Sequence, residues 1–235
     1  MTLRAVFFDV GNTLLFPYPS VSHVVREVLA EEGHIHDLTA IDAHMPLVDA
    51  YYEDRYRTDD TFWTDACATS EVWIGMYSLL CRKLGIDDGA ERLAQRVYDE
   101  FGDPRRWRAY DDVEPVFERL RARGLGIGII SNWDNRLEGL LGGLGLGRFI
   151  DSVVSSASVG LHKPDPRIFE LACERLGVSP QDAAHVGDHH YADIVGAEAV
   201  GMTPVLIDRW DGTDEGTGLF VRTLDDLERV LGLEG

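Results

Sequence analysis

The sequence predicts an α/β fold, a doubly wound and mostly parallel sheet, with an all-helical segment inserted after its first strand. An apolar run from Leu3 to Val10 has the length of a buried strand. From about residue 105 to the C-terminus, helix-like and strand-like stretches alternate, as in a parallel sheet covered on both faces. The stretch between them shows helical spacing alone. Because one strand cannot stand alone, we predict a Rossmannoid core of 1–17 and 105–235 that carries a helical insertion of 18–104.

Each predicted element follows from local spacing and turn residues. In the core, an amphipathic helix over 111–123 precedes a series of short apolar runs. The predicted later strands are 125–131, 152–155, 183–186 and 203–207. In the insertion, Ser20 is the expected N-cap of the first helix. The predicted helices of the insertion are 20–33, 37–57 with a kink or break at Pro46, 70–84 and 88–101. Polar, glycine or proline composition predicts loops over 14–19, 58–64 and 211–218.

Composition argues against several classes of function. The chain has 235 residues, of which 45% are hydrophobic, so it can bury a large core. A formal net charge of −19 argues against nucleic-acid binding. No apolar run is long enough to span a bilayer and no signal-peptide pattern opens the sequence, so we expect a cytoplasmic protein with no membrane partner. The cysteines Cys67, Cys81 and Cys173 are scattered and are expected to be buried, reduced thiols.

The charge balance also bears on the substrate. So acidic a chain repels anions at long range, and a phosphorylated substrate would therefore need a cation in the site. The sequence contains only two lysines, Lys83 and Lys163, and arginine supplies the other positive charges. This scarcity singles out each lysine as a candidate for chemistry that arginine cannot perform.

Four polar segments are predicted to meet at one edge of the sheet, because each is placed at a strand end. They are Asp9 to Thr13, Ser131-Asn132, Lys163 to Pro166, and Gly187-Asp188 with Asp193 five residues on. Ligands of doubly wound sheets bind at the carboxyl ends of the strands. Carboxylates suit Mg²⁺, and a lysine can offset charge on a phosphoryl group. The constellation therefore indicates a site for Mg²⁺ and a phosphoryl group.

In this order, the four segments resemble the motifs of the haloacid dehalogenase-like (HAD) hydrolase superfamily, and a helical insertion directly after the first motif resembles its subclass with a helical cap. The resemblance implies that Asp9 is a nucleophile that forms an aspartyl intermediate. It implies that Thr13 and Ser131 hold phosphate oxygens or the active-site loop, with Asn132 beside them. It also implies that Lys163 offsets the charge of Asp9 and of the substrate.

The same resemblance implies a metal site. Asp188 would bind Mg²⁺ together with Asp9 and the backbone carbonyl of Gly11, and Asp193 would support the metal ligands or their waters. The implied substrate is a small phosphorylated metabolite. The aromatic-rich insertion could face substrate, its own core or a second subunit, so both a monomer and a homodimer stay open.

One position departs from the phosphatases of this superfamily, which carry a second aspartate two residues after the nucleophile as general acid and base. Here that position is Gly11, and the loss of general acid–base help, worth roughly 10²–10⁴-fold, would weaken turnover. His162, His189 and His190 flank the later motifs and could replace the missing group. The combination of a helical cap with this loss resembles the group similar to the rhythmically expressed gene product of flies.

Alternative functions stay open at this stage. A degenerate member would bind phosphate, Mg²⁺ or a protein partner with little catalysis. Cleavage of a C–P bond would use Lys83 as a Schiff base, and cleavage of a C–halogen bond would need no Mg²⁺, which the Gly187-Asp188 pair argues against. Trp133 either shapes the leaving-group pocket or starts the next helix, with Asp134 as its N-cap.

Overall fold

The computed structural model describes residues 3–210 and 218–233, so all of the predicted loop 211–218 except Gly218 lies outside the described residues. The chain divides into two compact units, Met1–Phe16 with Ala109–Gly235, and Pro17–Arg108. We call them the core unit and the helical unit. No helix within the described ranges is both long and apolar enough to cross a bilayer.

The core unit is built on a six-stranded sheet in the order β5-β4-β1-β6-β7-β8, and its neighbouring strands pair in parallel. The described strands are β1 (Ala5–Phe8), β2 (Leu15–Pro17), β3 (Trp107–Ala109), β4 (Gly126–Ser131), β5 (Ser152–Ser155), β6 (Ala183–Gly187), β7 (Thr203–Ile207) and β8 (Leu219–Val221). Two of them, β2 and β3, lie outside this sheet. The first strand stands in its middle, which confirms the predicted α/β fold. Neither β3 nor β8 was predicted, and β2 occupies part of the predicted loop 14–19.

The central strand is β1 because its four residues, Ala-Val-Phe-Phe, can be buried completely on both faces. It pairs with β4 on one side and with β6 on the other. The main chain continues this pairing for one more step, since the Asp9 amide donates to the Val186 carbonyl at 2.9 Å. Asp9 is thereby delivered to the carboxyl edge of the sheet.

Helices cover the sheet of the core unit. They are α6 (Val113–Ala122), α7 (Leu137–Gly143), α8 (Ser156–Val159), α9 (Pro166–Leu176), α10 (Gly196–Val200) and α11 (Leu227–Val230), with a π-helical segment over His190–Val195. The helix α9 packs through Ile168 and Phe169 in one apolar cluster with Phe7 of β1. One face of the sheet and α9 therefore share a buried core.

The helical unit has α1 (Val21–Glu31), α2 (Leu38–Asp42), α3 (Met45–Thr58), α4 (Ala66–Lys83) and α5 (Ala90–Glu100). Ser20 caps α1 as predicted, its side chain accepting from the His23 amide. The predicted helix 37–57 is two helices, since Pro46 sits in the first turn of α3, where its missing N–H costs nothing.

Three predictions for this unit were wrong. The predicted loop 58–64 contains a 3₁₀ helix, Asp60–Thr64, whose Phe62 and Trp63 are buried in the apolar core of the unit. The helix α4 begins at Ala66 and not at residue 70, because the Asp65 side chain accepts from two backbone amides of its first turn at 2.9 Å. The three cysteines are free, as expected, but Cys67 is exposed.

Candidate active site

The predicted nucleophile, Asp9, lies buried at the end of β1. Its Oδ1 accepts a hydrogen bond from the Ser131 hydroxyl at 2.9 Å and from Lys163 Nζ at 2.6 Å. Its second oxygen has no hydrogen-bond partner among the described residues. Burial raises the pKa of Asp9, while the charge of Lys163 opposes the rise. The carboxylate is thus fixed by one oxygen and leaves the other for chemistry.

Lys163 is the cation of this cluster, and only 2% of its side chain is exposed. Its Nζ bridges Asp9 and Asp193, with an Nζ–Oδ1 distance of 2.5 Å to the latter. Burial alone would lower the pKa of Lys163, but the two carboxylates outweigh burial and raise it, so the ammonium keeps its proton. The segment 163–166 was predicted to follow a strand, which is wrong: it follows the short helix α8 and ends at Pro166, the first residue of α9.

The backbone of Lys163 is held by the Asn132 side chain. The Lys163 amide donates to Asn132 Oδ1 at 2.8 Å, and Asn132 Nδ2 donates to the Lys163 carbonyl at 3.1 Å. Asn132 follows β4 directly, so the sheet edge aims both Ser131 at Asp9 and Asn132 at the lysine loop. The structure thereby brings the predicted pair to the lysine and the nucleophile.

Asp193 lies buried in the π-helical segment. Its Oδ1 also accepts from His185 Nε2 at 2.8 Å, and its Oδ2 accepts from the His189 amide at 3.0 Å. Burial would raise the pKa of Asp193, but Lys163 and His185 lower it below the ordinary value. Asp193 is therefore an ionised anchor for the lysine with both oxygens engaged.

The sequence analysis missed His185, which lies in the middle of β6 with no exposed surface. Burial lowers its pKa, so the ring is neutral and carries its proton on Nε2 to serve Asp193. A lone polar residue in an otherwise apolar strand was the available signal, because a buried polar group needs a partner.

Asp188 follows β6 and faces the loop between β1 and β2, which we call the first loop. Asn12 Nδ2 lies 3.4 Å from its Oδ2, and Thr13 Oγ1 lies 3.5 Å from its Oδ1. Burial, with the charges of Asp9 and Asp193, raises the pKa of Asp188 to about 8. The sequence-predicted Thr13 is thus placed against the carboxylate of Asp188.

Three carboxylates around a single lysine leave excess negative charge at this edge. One oxygen from each of Asp9, Asp188 and Asp193 lies within 4.8 Å of the others. The raised pKa of Asp188 is the electrostatic sign of that excess. An all-oxygen donor set of this charge fits a hard divalent cation such as Mg²⁺.

Gly11 stands beside the ring of Trp133. A Cβ built on Gly11 would lie 3.6 Å from Trp133 Cζ3, an ordinary van der Waals distance, and its φ is outside the left-handed region. In contrast, a Cβ at Gly187 would collide with the Asp193 side chain, and one at Gly196 with a phenylalanine ring. Sterics therefore require glycine at 187 and 196 but not at 11.

Trp133 precedes the next helix and does not start it, since α7 begins at Leu137. Its amide donates to the Ser156 hydroxyl at 3.0 Å. Asp134 accepts from the Arg136 amide at 2.9 Å, although it is not the N-cap of α7.

The three histidines proposed as replacement acids have different surroundings. His162 Nδ1 lies 3.0 Å from the Lys163 carbonyl. His189 Nδ1 accepts from the Ala192 amide at 3.1 Å, which holds the start of the π-helical segment. His190 is exposed. In the helical unit, Lys83 is exposed in the last turn of α4.

Arg209, just past β7, holds the first loop from outside and was also missed. Its Nη2 donates to the Thr13 carbonyl at 2.7 Å, and its Nη1 donates to Asp112 Oδ2 at 2.6 Å. Asp112 further accepts from the Thr223 hydroxyl at 2.6 Å and the Leu224 amide at 2.8 Å. Burial opposes ionisation of Asp112, but Arg209 and Thr223 hold its pKa below the ordinary value. This clamp fixes the loop that carries Gly11 and Thr13.

Comparison with known proteins places this geometry in context. A model of the haloacid dehalogenase-like hydrolase family matches residues 3–201. The chain is 31% identical over 214 residues to the human haloacid dehalogenase-like hydrolase domain-containing protein 3, covering 88% of this chain and 82% of that protein. It is 36% identical over 230 residues to the phosphoserine phosphatase of Thermus thermophilus, covering 88% and 89%.

A solved HAD phosphatase from Thermococcus onnurineus has a TM-score of 0.65 and 27% identity, and the match covers 98% of both chains. Relatives named as phosphatases and as a dehalogenase both occur, so the comparisons do not by themselves choose between the two reactions.

Proposed function

Since the chain belongs to the haloacid dehalogenase-like hydrolases, we propose that it is a Mg²⁺-dependent phosphohydrolase that uses Asp9 as its nucleophile on a small phosphorylated metabolite. The observation that carries the proposal is the carboxylate cluster. Asp9 is fixed by Ser131 and Lys163 through one oxygen, and Asp188 lies close by with a raised pKa. A second carboxylate beside a nucleophilic one repels an anionic substrate unless a cation joins them.

The residues present fit Mg²⁺. Asp9, Asp188 and the carbonyl of Gly11 would hold it, while Asp193, whose oxygens already serve Lys163, His185 and a backbone amide, would support the ligands. When bound, Mg²⁺ supplies charge neutralisation for the phosphoryl oxygens and for the two carboxylates.

The remaining residues prepare Asp9 for attack. Lys163 keeps its proton, holds Asp9 in place and offsets charge as the phosphoryl group approaches. Asn132 fixes the backbone that carries this lysine. The Thr13 hydroxyl beside Asp188 and the Ser131 hydroxyl beside Asp9 can turn toward phosphate oxygens.

We assign the helical unit, Pro17–Arg108, the role of a cap that selects the substrate. Its own core is rich in aromatic rings: Tyr52 stacks on Trp73 with centroids 5.8 Å apart, and Trp63 meets Trp73 edge-on at 6.2 Å. Rings that pack on each other make a rigid small bundle.

Two other functions compete with this proposal. A dehalogenase works on a substrate without phosphate and needs no cation. The raised pKa of Asp188 instead indicates an excess of negative charge that a bound cation would neutralise. A non-catalytic binding protein would explain Gly11. It would use the second oxygen of Asp9, which has no partner among the described residues, to bind Mg²⁺, so an assay of turnover is needed to separate the two functions.

The test is steady-state hydrolysis of acetyl phosphate and p-nitrophenyl phosphate, with Mg²⁺ or EDTA, by the wild type and by Asp9→Asn. We expect turnover that needs both Mg²⁺ and Asp9. Turnover that survives EDTA or Asp9→Asn would overturn the proposed mechanism. No turnover above the Asp9→Asn background would contradict the proposed hydrolase function and favour a binding role.

A further inference from the structure

We propose that Tyr110 positions Asp188 for the metal ion: in the Mg²⁺-loaded protein its hydroxyl donates a hydrogen bond to the Asp188 oxygen that does not bind the metal. The inference rests on the proposed function, in which Asp188 holds Mg²⁺, and it adds one residue to that site. Three observations carry it: a buried hydroxyl without a partner among the described residues, a carboxylate held only by long contacts, and one loop that supports both groups.

The Tyr110 hydroxyl oxygen is buried and has no hydrogen-bond partner among the described residues. Such a group is unfavourable in a folded protein, because it has given up its hydrogen bonds to water without replacing them. Burial raises the pKa of this phenol and the charge of Asp188 raises it further, although Arg209 opposes the rise, so the hydroxyl keeps its proton. Tyr110 is therefore a hydrogen-bond donor within electrostatic reach of Asp188.

Asp188 is a loosely held carboxylate. Asn12 Nδ2 lies 3.4 Å from one of its oxygens and Thr13 Oγ1 lies 3.5 Å from the other, both longer than the usual upper limit of about 3.2 Å. Asp9, in contrast, accepts from Lys163 Nζ at 2.6 Å. A carboxylate oxygen accepts more than one hydrogen bond, so Asp188 has capacity for a further donor.

The first loop supports the Tyr110 ring as well as the contacts of Asp188. The Tyr110 amide donates to the Leu14 carbonyl at 3.1 Å. The Arg209 guanidinium lies over the Tyr110 ring, 4.0 Å from its centroid, and Arg209 Nη2 donates to the Thr13 carbonyl at 2.7 Å. The phenol is thus fixed to the same loop whose side chains face Asp188.

Metal binding creates the need that this hydroxyl can meet. A carboxylate that binds a metal ion through one oxygen is oriented by a hydrogen bond to the other. Ser131 and Lys163 supply such bonds to Asp9. Tyr110 is the buried donor near Asp188 that is not already engaged with another described residue. We therefore assign it to Asp188 in the metal-loaded state.

The experiment compares Mg²⁺ binding by the wild type, Tyr110→Phe and Tyr18→Phe, using isothermal titration calorimetry on protein freed of metal with EDTA. Tyr110→Phe removes the hydroxyl and keeps the aromatic ring beside Arg209. Tyr18→Phe is the matched control, because Tyr18 is exposed. We expect the Kd for Mg²⁺ to rise about 10–100-fold in Tyr110→Phe and less than about twofold in Tyr18→Phe.

The stability of the metal-free proteins is a second readout. Because the hydroxyl has no partner among the described residues, Tyr110→Phe without Mg²⁺ should have a Tm no lower than that of the wild type. With saturating Mg²⁺, the wild type should gain more in Tm than Tyr110→Phe at the same concentration. A lower Tm of the metal-free variant, together with an unchanged gain from Mg²⁺, would show a merely structural role and overturn the inference.

The outcomes separate this inference from the function on which it rests. If the wild type binds no Mg²⁺, the proposed metal-dependent function fails, and the inference fails with it. If the wild type binds Mg²⁺ and Tyr110→Phe binds it within about twofold of the same affinity, the positioning role is overturned while the function stands. A crystal structure of the Mg²⁺-loaded wild type decides the question even where Tyr110→Phe does not fold. We expect Tyr110 Oη within about 3.0 Å of an Asp188 oxygen, and a hydroxyl that bonds elsewhere or stays unpaired would overturn the assignment.

Discussion

Replacement of Lys163 by methionine removes the only ammonium group from a cluster of three carboxylates. Its Nζ lies 2.6 Å from Asp9 and 2.5 Å from Asp193, and its side chain is 2% exposed. Removal of one partner from a buried ion pair costs about 3–5 kcal/mol, because the remaining charge stays buried and uncompensated. We expect a loss of this size in the free energy of unfolding at pH 7 without Mg²⁺.

The pH dependence of this loss follows from the directions of the pKa shifts. In the wild type, Lys163 lowers the pKa of Asp193 in the folded state. The ion pair therefore stabilises the fold fully above the pKa that Asp193 has in the unfolded chain, and this stabilisation is lost only as pH falls through the lower pKa of the folded state. In Lys163→Met, the buried carboxylates have raised folded pKa values, so their penalty shrinks as pH falls and they take up protons. The destabilisation should therefore be smaller at pH 5 than at pH 7.

Urea unfolding at both pH values, with and without Mg²⁺, measures these quantities. The matched control is Lys83→Met, the other lysine of the chain, which is exposed and should change stability by less than about 0.5 kcal/mol. A Lys163→Met protein that loses less than about 1 kcal/mol at pH 7, or as much at pH 5 as at pH 7, would refute the electrostatic reasoning.

Three further predictions concern the groups around this cluster. In Mg²⁺-free protein, the raised pKa of Asp188 makes the free energy of unfolding fall as pH rises from about 4 toward 8. At pH 8, Asp188→Asn should therefore be more stable than the wild type by about 1–2 kcal/mol. Mg²⁺ should no longer raise the Tm of this variant. Arg209→Met should lose about 3–5 kcal/mol in urea unfolding because it strands buried Asp112, and the double variant with Asp112→Asn should recover part of that loss. His185→Phe should lower the free energy of unfolding by about 1–3 kcal/mol and should reduce kcat more than it changes KM, because Asp193 loses a hydrogen-bond donor. His185→Gln keeps a donor for Asp193 and should recover much of the loss of kcat. Equal stability and equal kcat in His185→Phe and His185→Gln would contradict this role.

The arrangement of the sheet could be predicted because its signals are local and strong. A buried run that ends at Asp9 and an alternation of helices with strands suffice to place several polar segments at one edge. Asp9, Ser131 and Asp188 indeed follow β1, β4 and β6 or end them.

Other features depend on contacts between distant parts of the chain. Lys163 was assigned to a strand end because α8 has only four residues, too few for a helical period to be recognised. Arg209 reaches the first loop from 196 residues away, and one arginine after a strand resembles any exposed charge. Phe62 and Trp63 lie in a polar stretch, so only the packing of the helical unit reveals that they are buried.

Whether position 11 must be a glycine can be answered only from the sequence and the structure together. The sequence identifies the departure, but it does not say whether the backbone demands a glycine there. The Cβ test supplies this answer, since Gly187 and Gly196 are sterically required and Gly11 is not. The glycine at position 11 is therefore not required by the backbone conformation or by crowding of a Cβ.

The central claim is that Asp9 accepts the phosphoryl group, and trapping the covalent intermediate tests it most directly. The enzyme is mixed with acetyl phosphate and Mg²⁺, quenched in acid within one turnover, digested and analysed by mass spectrometry. The account predicts one added phosphoryl group on the peptide that contains Asp9, absent in Asp9→Asn and absent with EDTA. A phosphoryl group on any other residue, or turnover with no label on Asp9, would contradict the account.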